Sequence, residues 1–143
     1  MIYKIIMAFF ATLAFAFLFN SPKKELFLCG FTGAFGWFFF ELVNMITMDA
    51  ALSAFVHTIA VTALSRLLSF KRKNPITVYL ISGILPIVPG SGIYYTAYHV
   101  LINESSLAYS YGLETLKTAG VISLGIMAVL SLPVQMFRWI SDR

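Results

Sequence analysis

Charge is what this sequence has least of. Charged residues make up 11% of its 143 positions, against roughly a quarter in an ordinary soluble domain. With 59% of the residues apolar, a water-soluble fold is excluded, because a domain this small keeps much of its surface exposed and could not hide so much apolar area. The solvent for most of the chain must be lipid. Cysteine is nearly absent: Cys29 stands alone in an apolar run, which excludes an intrachain disulfide and a metal or redox motif and leaves a small packing residue. No nucleophile–base arrangement, zinc-ligand spacing or P-loop is visible, and Gly90-Ser91-Gly92 lacks the spacing of a nucleophile elbow. The expectation is no enzyme, no cofactor and no metal, and ATP-driven transport would need a separate protein. The net charge of +4 is no sign of nucleic acid, since the basic residues fall between apolar blocks, where they set topology.

What is present is a series of apolar blocks at 2–19, 26–43, 50–68, 76–102 and 113–137. Each is long enough to cross a hydrocarbon core that takes ~20 residues. Polar, turn-forming stretches separate them: Asn20 to Glu25, Asn44 to Asp49, Lys71 to Pro75 and Asn103 to Ser106. None of these can hold an extramembrane domain, so residues 1–143 read as one all-α transmembrane domain of about five helices. Ala14-Phe15-Ala16 imitates a signal-peptide cleavage site, but Lys23 and Lys24 follow the apolar core instead of preceding it, which favours a retained helix.

Five crossings put Lys23, Lys24, Arg66, Lys71, Arg72, Lys73, Arg138 and Arg143 on one side, and only Lys4 and Lys117 on the other. By the positive-inside rule the N-terminus is expected outside and the C-terminus in the cytoplasm of a cell whose inner membrane holds the protein. Trp139 beside Arg138 reads as an anchor at the inner interface, and Tyr94, Tyr95, Tyr98, Tyr109 and Tyr111 as a cluster toward the outer one.

The fourth block is the informative one. As a straight helix it would be ~40 Å long, beyond the ~30 Å core. Its middle reads Gly83-Ile84-Leu85-Pro86-Ile87-Val88-Pro89-Gly90-Ser91-Gly92. Two prolines each remove a donor and clash with the preceding turn, and the glycines tolerate non-helical angles. The helix is expected to break near 86–92 and restart around Ser91 to Tyr94. Irregular backbone at that depth must be buried in protein or line a wet cavity, and the restarting half-helix offers N–H groups and partial positive charge to a carboxylate. Pro86, Pro89, Gly90, Ser91, Gly92, Tyr94 and Tyr95 are therefore candidate substrate contacts. A proline kink that only shapes packing is the plain alternative.

His57 lies midway along the third block. An ionisable group at that depth is a candidate proton carrier or substrate contact, or else a neutral histidine bonded to a neighbouring helix. Arg66 is expected to snorkel to the headgroups, and Glu41 and Asp49, near helix ends, to be solvated. Gly30, Gly33, Gly36, Gly120 and Gly125 are expected to let helices approach closely. Five short helices are too few to enclose an alternating-access path alone, so assembly with a second subunit, or with itself, is expected.

Asn74-Pro75-Ile76-Thr77-Val78 followed by Leu85-Pro86-Ile87-Val88-Pro89-Gly90-Ser91-Gly92-Ile93-Tyr94 resembles the signature of the threonine/serine exporter (ThrE-type) family, whose short members carry only the C-terminal transmembrane half. Phe19-Asn20-Ser21-Pro22, the Gly30-x-x-Gly33-x-x-Gly36-Trp37 run, Ser65-Arg66 and Ala119-Gly120 match as well. The resemblance implies export of threonine and serine, or of a dicarboxylate such as succinate in paired small/large systems, driven by the proton gradient. It implies a larger ThrE-like partner with a related membrane half and a soluble segment. Pro86, Pro89, Gly90, Gly92 and Tyr94 carry its motif, with Pro75, Gly33, Gly36, Trp37 and Arg66 in support. The family places an acid shortly before the third-helix Ala-Arg pair. Here Thr62, Ala63, Leu64 and Ser65 stand there, and coupling would fall to His57. The rival reading is a non-transporting membrane scaffold, told apart by export with and without the partner.

Overall fold

The computed structural model describes residues 2–133, and all regular structure among them is helical. Helix α1 spans Ile2–Leu18, α2 Leu26–Thr47, α3 Ala50–Arg72 and α4 Thr77–Ile84; a 3-10 turn covers Leu85–Ile87, then α5 spans Gly90–Leu101 and α6 Ser105–Leu130. Each of the four turns between the long segments holds one non-glycine residue in the left-handed region: Asn20, Met48, Lys73 and Asn103. Asparagine tolerates that region better than most side chains, and each reversal is tight enough to return the chain directly as a neighbouring antiparallel helix. Asp49 starts α3 by accepting hydrogen bonds from the Ala51 and Leu52 N–H groups at 2.9 and 3.2 Å, an N-cap that satisfies two orphan donors. Pro75 follows the end of α3 closely and bars its continuation.

Helices α2, α3 and α6 are each long and apolar enough to cross a membrane, and Thr77–Ile87 with Gly90–Leu101, bent by 50°, passes as a fourth when taken together. Helix α1, at 17 residues, is about 25 Å long. The polarity of the fold is that of a membrane protein. Large apolar side chains such as Met7, Phe10, Phe17, Phe27, Ile46, Leu116 and Met127 cover the outside, while Thr12, Thr32, Ser53, His57, Thr58, Thr62, Ser65 and Ser82 are fully buried.

Helix α3 is central, packed by α2, α4 and α6, with α1 outside α2 and α5 outside α6. Small residues set the closeness of these packings. A Cβ on Gly30 would lie 2.9 Å from the Phe9 ring, one on Gly33 would strike the Thr12 hydroxyl, and one on Gly36 would strike Val61 and come within 2.8 Å of His57. Gly125 lets α6 onto Thr58 in the same way, whereas Gly120 faces open space and is not a packing glycine.

Three local expectations are corrected. Residues 103–106 are not all turn: α6 begins at Ser105, a full two turns before the apolar run at Leu113, because nothing in Ser105 to Gly112 stops a helix. Glu41 is not solvated but buried, where its carboxylate accepts from the Lys4 ammonium at 2.9 Å. Arg66 does not reach toward headgroups. It is 6% exposed and donates to the main-chain oxygens of Val129 at 2.6 Å and Leu132 at 2.9 Å, because the negative end of the α6 dipole draws the guanidinium. The continuation of the fifth block to 137, and Arg138, Trp139 and Arg143, lie outside the described residues.

Candidate functional site

The segment between α4 and α5 is where regular backbone gives way. Helical angles persist through the 3-10 turn, which carries Pro86, and then Val88 turns extended at ψ 130°. Pro89 precedes α5 and offers it no capping side chain. The Gly90 N–H donates to Val88 O at 2.7 Å and that of Ile93 to Pro89 O at 3.1 Å. Among the described residues no backbone or capping acceptor takes the N–H groups of Ser91 and Gly92. They are the unpaired positive end of the α5 dipole.

The candidate residues do not converge on one point. Pro89, Ser91, Gly92 and Tyr95 border a cavity of about 310 Å3, closed from the other side by Tyr111, Glu114, Thr115 and Thr118 of α6. Pro86 borders a different cavity of about 250 Å3, with Lys4, Met7 and Ala11 of α1 and Trp37 of α2. Tyr94 lines neither and is largely exposed, stacked on Tyr98 with ring centroids 6.2 Å apart. A Cβ on Gly90 would meet nothing, but one on Gly92 would strike the Thr115 hydroxyl. Of the two glycines, Gly92 is the one whose lack of a side chain brings α5 against α6. The tyrosines gather on this hairpin: Tyr95 stacks on Tyr111 at 5.3 Å, and His99 stacks on the same ring at 5.3 Å.

A larger groove of about 760 Å3 adjoins this cavity, since Glu114 and Thr118 line both. Its other walls are Met48 to Ala51, at the turn between α2 and α3, and Tyr109, Ser110, Leu113 and Lys117 of α6. Glu114 and Thr118 thus stand between the groove at that turn and the cavity at the first residues of α5. Sequence reasoning missed the α6 wall. The signal available was Glu114-x-x-Lys117 inside a helix otherwise apolar enough to span a membrane.

His57 lies apart from these cavities. It is fully buried, edge-on to Trp37 at 6.1 Å and Phe40 at 6.5 Å, and packed against the α2 backbone at Gly36. The main chain of Gly36 and Gly83 lies beside the ring, but neither ring nitrogen makes a well-formed hydrogen bond among the described residues, nor do Trp37 Nε1, Thr12 Oγ1 and Ser65 Oγ. Such groups are costly in a dry interior, and they lie on α1, α2 and α3.

At the opposite end of α2 a second network was also missed. Glu25 is buried, and its carboxylate accepts from the Tyr79 hydroxyl at 2.8 Å and from Arg72 Nε at 3.2 Å; Asn74 donates to Tyr79 at 3.3 Å. Burial pushes the Glu25 carboxyl up, but the Tyr79 and Arg72 hydrogen bonds outweigh it and hold the group below the usual carboxylate range. Pro75 sits in the turn beside this network, between Asn74 and the start of α4.

No cluster of metal-ligating side chains occurs among the described residues. Over residues 4–132 the sequence matches a family model described as "Threonine/Serine exporter, ThrE". No curated protein and no solved structure matches the chain.

Proposed function

Because the chain belongs to the threonine/serine exporter family, we propose that it is the small membrane subunit of a secondary exporter moving a small carboxylate metabolite out of the cytoplasm. The substrate is threonine or serine, or a dicarboxylate such as succinate. One observation carries the reading: the cavity between α5 and α6, bordered by the first turn of α5, whose Ser91 and Gly92 N–H groups have no acceptor among the described residues. Main-chain donors at a half-helix start suit a carboxylate without fixing the rest of the substrate. Pro89, Ser91, Gly92 and Tyr95 form the binding wall, while Pro86 and Tyr94 shape the break and its outer flank.

In this reading α4 and α5 make one broken span and the chain crosses the inner membrane five times, N-terminus outside and C-terminus in the cytoplasm. The groove from the α2–α3 turn to Ser91 is the exit path. Coupling to the proton gradient falls to His57, supported by its full burial between α2 and α4 with main chain of Gly36 and Gly83 beside its ring. A larger ThrE-like subunit completes the path. No residue of α5 is buried by the rest of the chain, which leaves that helix a face for a partner.

Efflux of preloaded labelled threonine, serine and succinate, from cells expressing the chain with and without the larger subunit, tests the reading. Efflux that requires both proteins supports it and names the substrate. Equal efflux from the larger subunit alone makes this chain a scaffold.

A further inference from the structure

Five acidic side chains fall within the described residues, and four are engaged. Glu25 is held by Tyr79 and Arg72, Glu41 by Lys4, and Glu104 by the His99 ring at 2.8 Å, while Asp49 caps α3. The fifth, Glu114, has no hydrogen-bond or ion-pair partner among the described residues. It stands one-third of the way along α6, a helix apolar enough to span a membrane. Its side chain is exposed where the cavity and the groove open, so its charge is available to what enters the site.

Its position says what enters. Glu114 lines both the cavity at the start of α5 and the groove that leads to it. Of the side chains bordering the inner cavity it is the one that carries charge; Ser91, Tyr95, Tyr111, Thr115 and Thr118 are neutral. The Thr115 and Thr118 hydroxyls donate to the Tyr111 and Glu114 main-chain oxygens of their own helix at 2.6 and 3.0 Å, so they present acceptor lone pairs to the cavity. Lys117 and Asp49 border only the outer groove, and Asp49 is already engaged at the α3 start.

We infer that Glu114 is the specificity-determining residue of the transport site, its carboxylate pairing with the ammonium group of an α-amino acid whose own carboxylate lies at the start of α5. The inference rests on the transport reading above and narrows it. A dicarboxylate would set its second carboxylate against Glu114, and like charges at close range repel. A zwitterion meets opposite charge at both ends. Selection against succinate is then built into α6 and not into the glycine segment that opens α5.

The test uses the full chain with its larger subunit in cells, reading efflux of labelled threonine and succinate side by side, with membrane levels measured for every variant. Glu114→Gln, nearly isosteric, should lower threonine efflux by roughly ten-fold or more, the loss of one charge-assisted hydrogen bond. Glu114→Lys should shift the threonine-to-succinate ratio toward succinate. Ser91→Trp, which fills the cavity, should stop both. A wild-type ratio in Glu114→Gln, with Ser91→Trp inactive, overturns the role of Glu114 and leaves the transport site standing. Undiminished efflux in Ser91→Trp overturns the site and the inference together.

Discussion

The guanidinium of Arg66 on α3 lies 2.6 Å from the main-chain oxygen of Val129, near the end of α6. A second nitrogen reaches Leu132 O at 2.9 Å. One side chain thus adds charged donors to carbonyls at the end of α6, with its positive charge at the negative end of the dipole.

Arg66→Met should therefore destabilise the chain by about 2 kcal/mol, since hydrogen bonds to charged groups are worth more than neutral ones. Arg66→Lys should recover only part of this, because an ammonium cannot span both oxygens as a planar fork does. Thermal unfolding of the purified chain in detergent reads both.

Gly36→Val should force α2 away from α3, as its side chain would occupy the space of Val61 and the His57 ring. Overpacking of this kind costs about 1–3 kcal/mol. Val61→Ala in the same chain should return part of the loss, a coupling between neighbours that a double-mutant cycle measures.

The two glycines that open α5 should behave differently. Gly90→Ala should export normally, because its Cβ meets nothing and its backbone is not left-handed. Gly92→Ala should lose export at unchanged membrane level, and Thr115→Ala should restore it by removing the hydroxyl it strikes. Equal behaviour of the two alanine variants would mean that the α5–α6 approach does not shape the cavity.

The Glu25 network should make stability fall in acid. Its folded carboxyl is held below the usual range, so its contribution is complete above the ordinary carboxylate value and is lost as pH falls through the lower, folded value. Arg72 is 45% exposed, and solvent screening keeps the effect modest. Melting curves between neutral and acid pH should converge for the wild type and Glu25→Gln at the acid end, with the wild type higher at neutral pH.

The helical blocks were legible because lipid demands long apolar runs whatever their neighbours do. What the sequence hid was pairing between distant segments. Glu41 and Lys4 are 37 positions apart, and Arg66 and Val129 are 63 apart; no local pattern announces such meetings. The α6 wall of the cavity was obscured for the same reason. Glu114 reads as one more helix-end charge until Pro89, Ser91 and Tyr95 are seen across from it. The start of α6 was misplaced because Ser105 and Ser106 look like turn residues, yet serine near a helix start is favourable.

The hydroxyls of α3 carry one more consequence. Ser53, Thr58 and Thr62 each donate back to a carbonyl one turn earlier in the same helix, so they spend nothing on α2 or α6. Among the described residues, the side-chain bonds that α3 makes to other segments are those of Arg66, Ser69 and Arg72, all in its C-terminal third. The other end is held by shape alone. Side-chain bonds therefore tie α3 to its surroundings at the arginine end, and packing alone does so at the end that borders the groove beside Asp49 and Glu114.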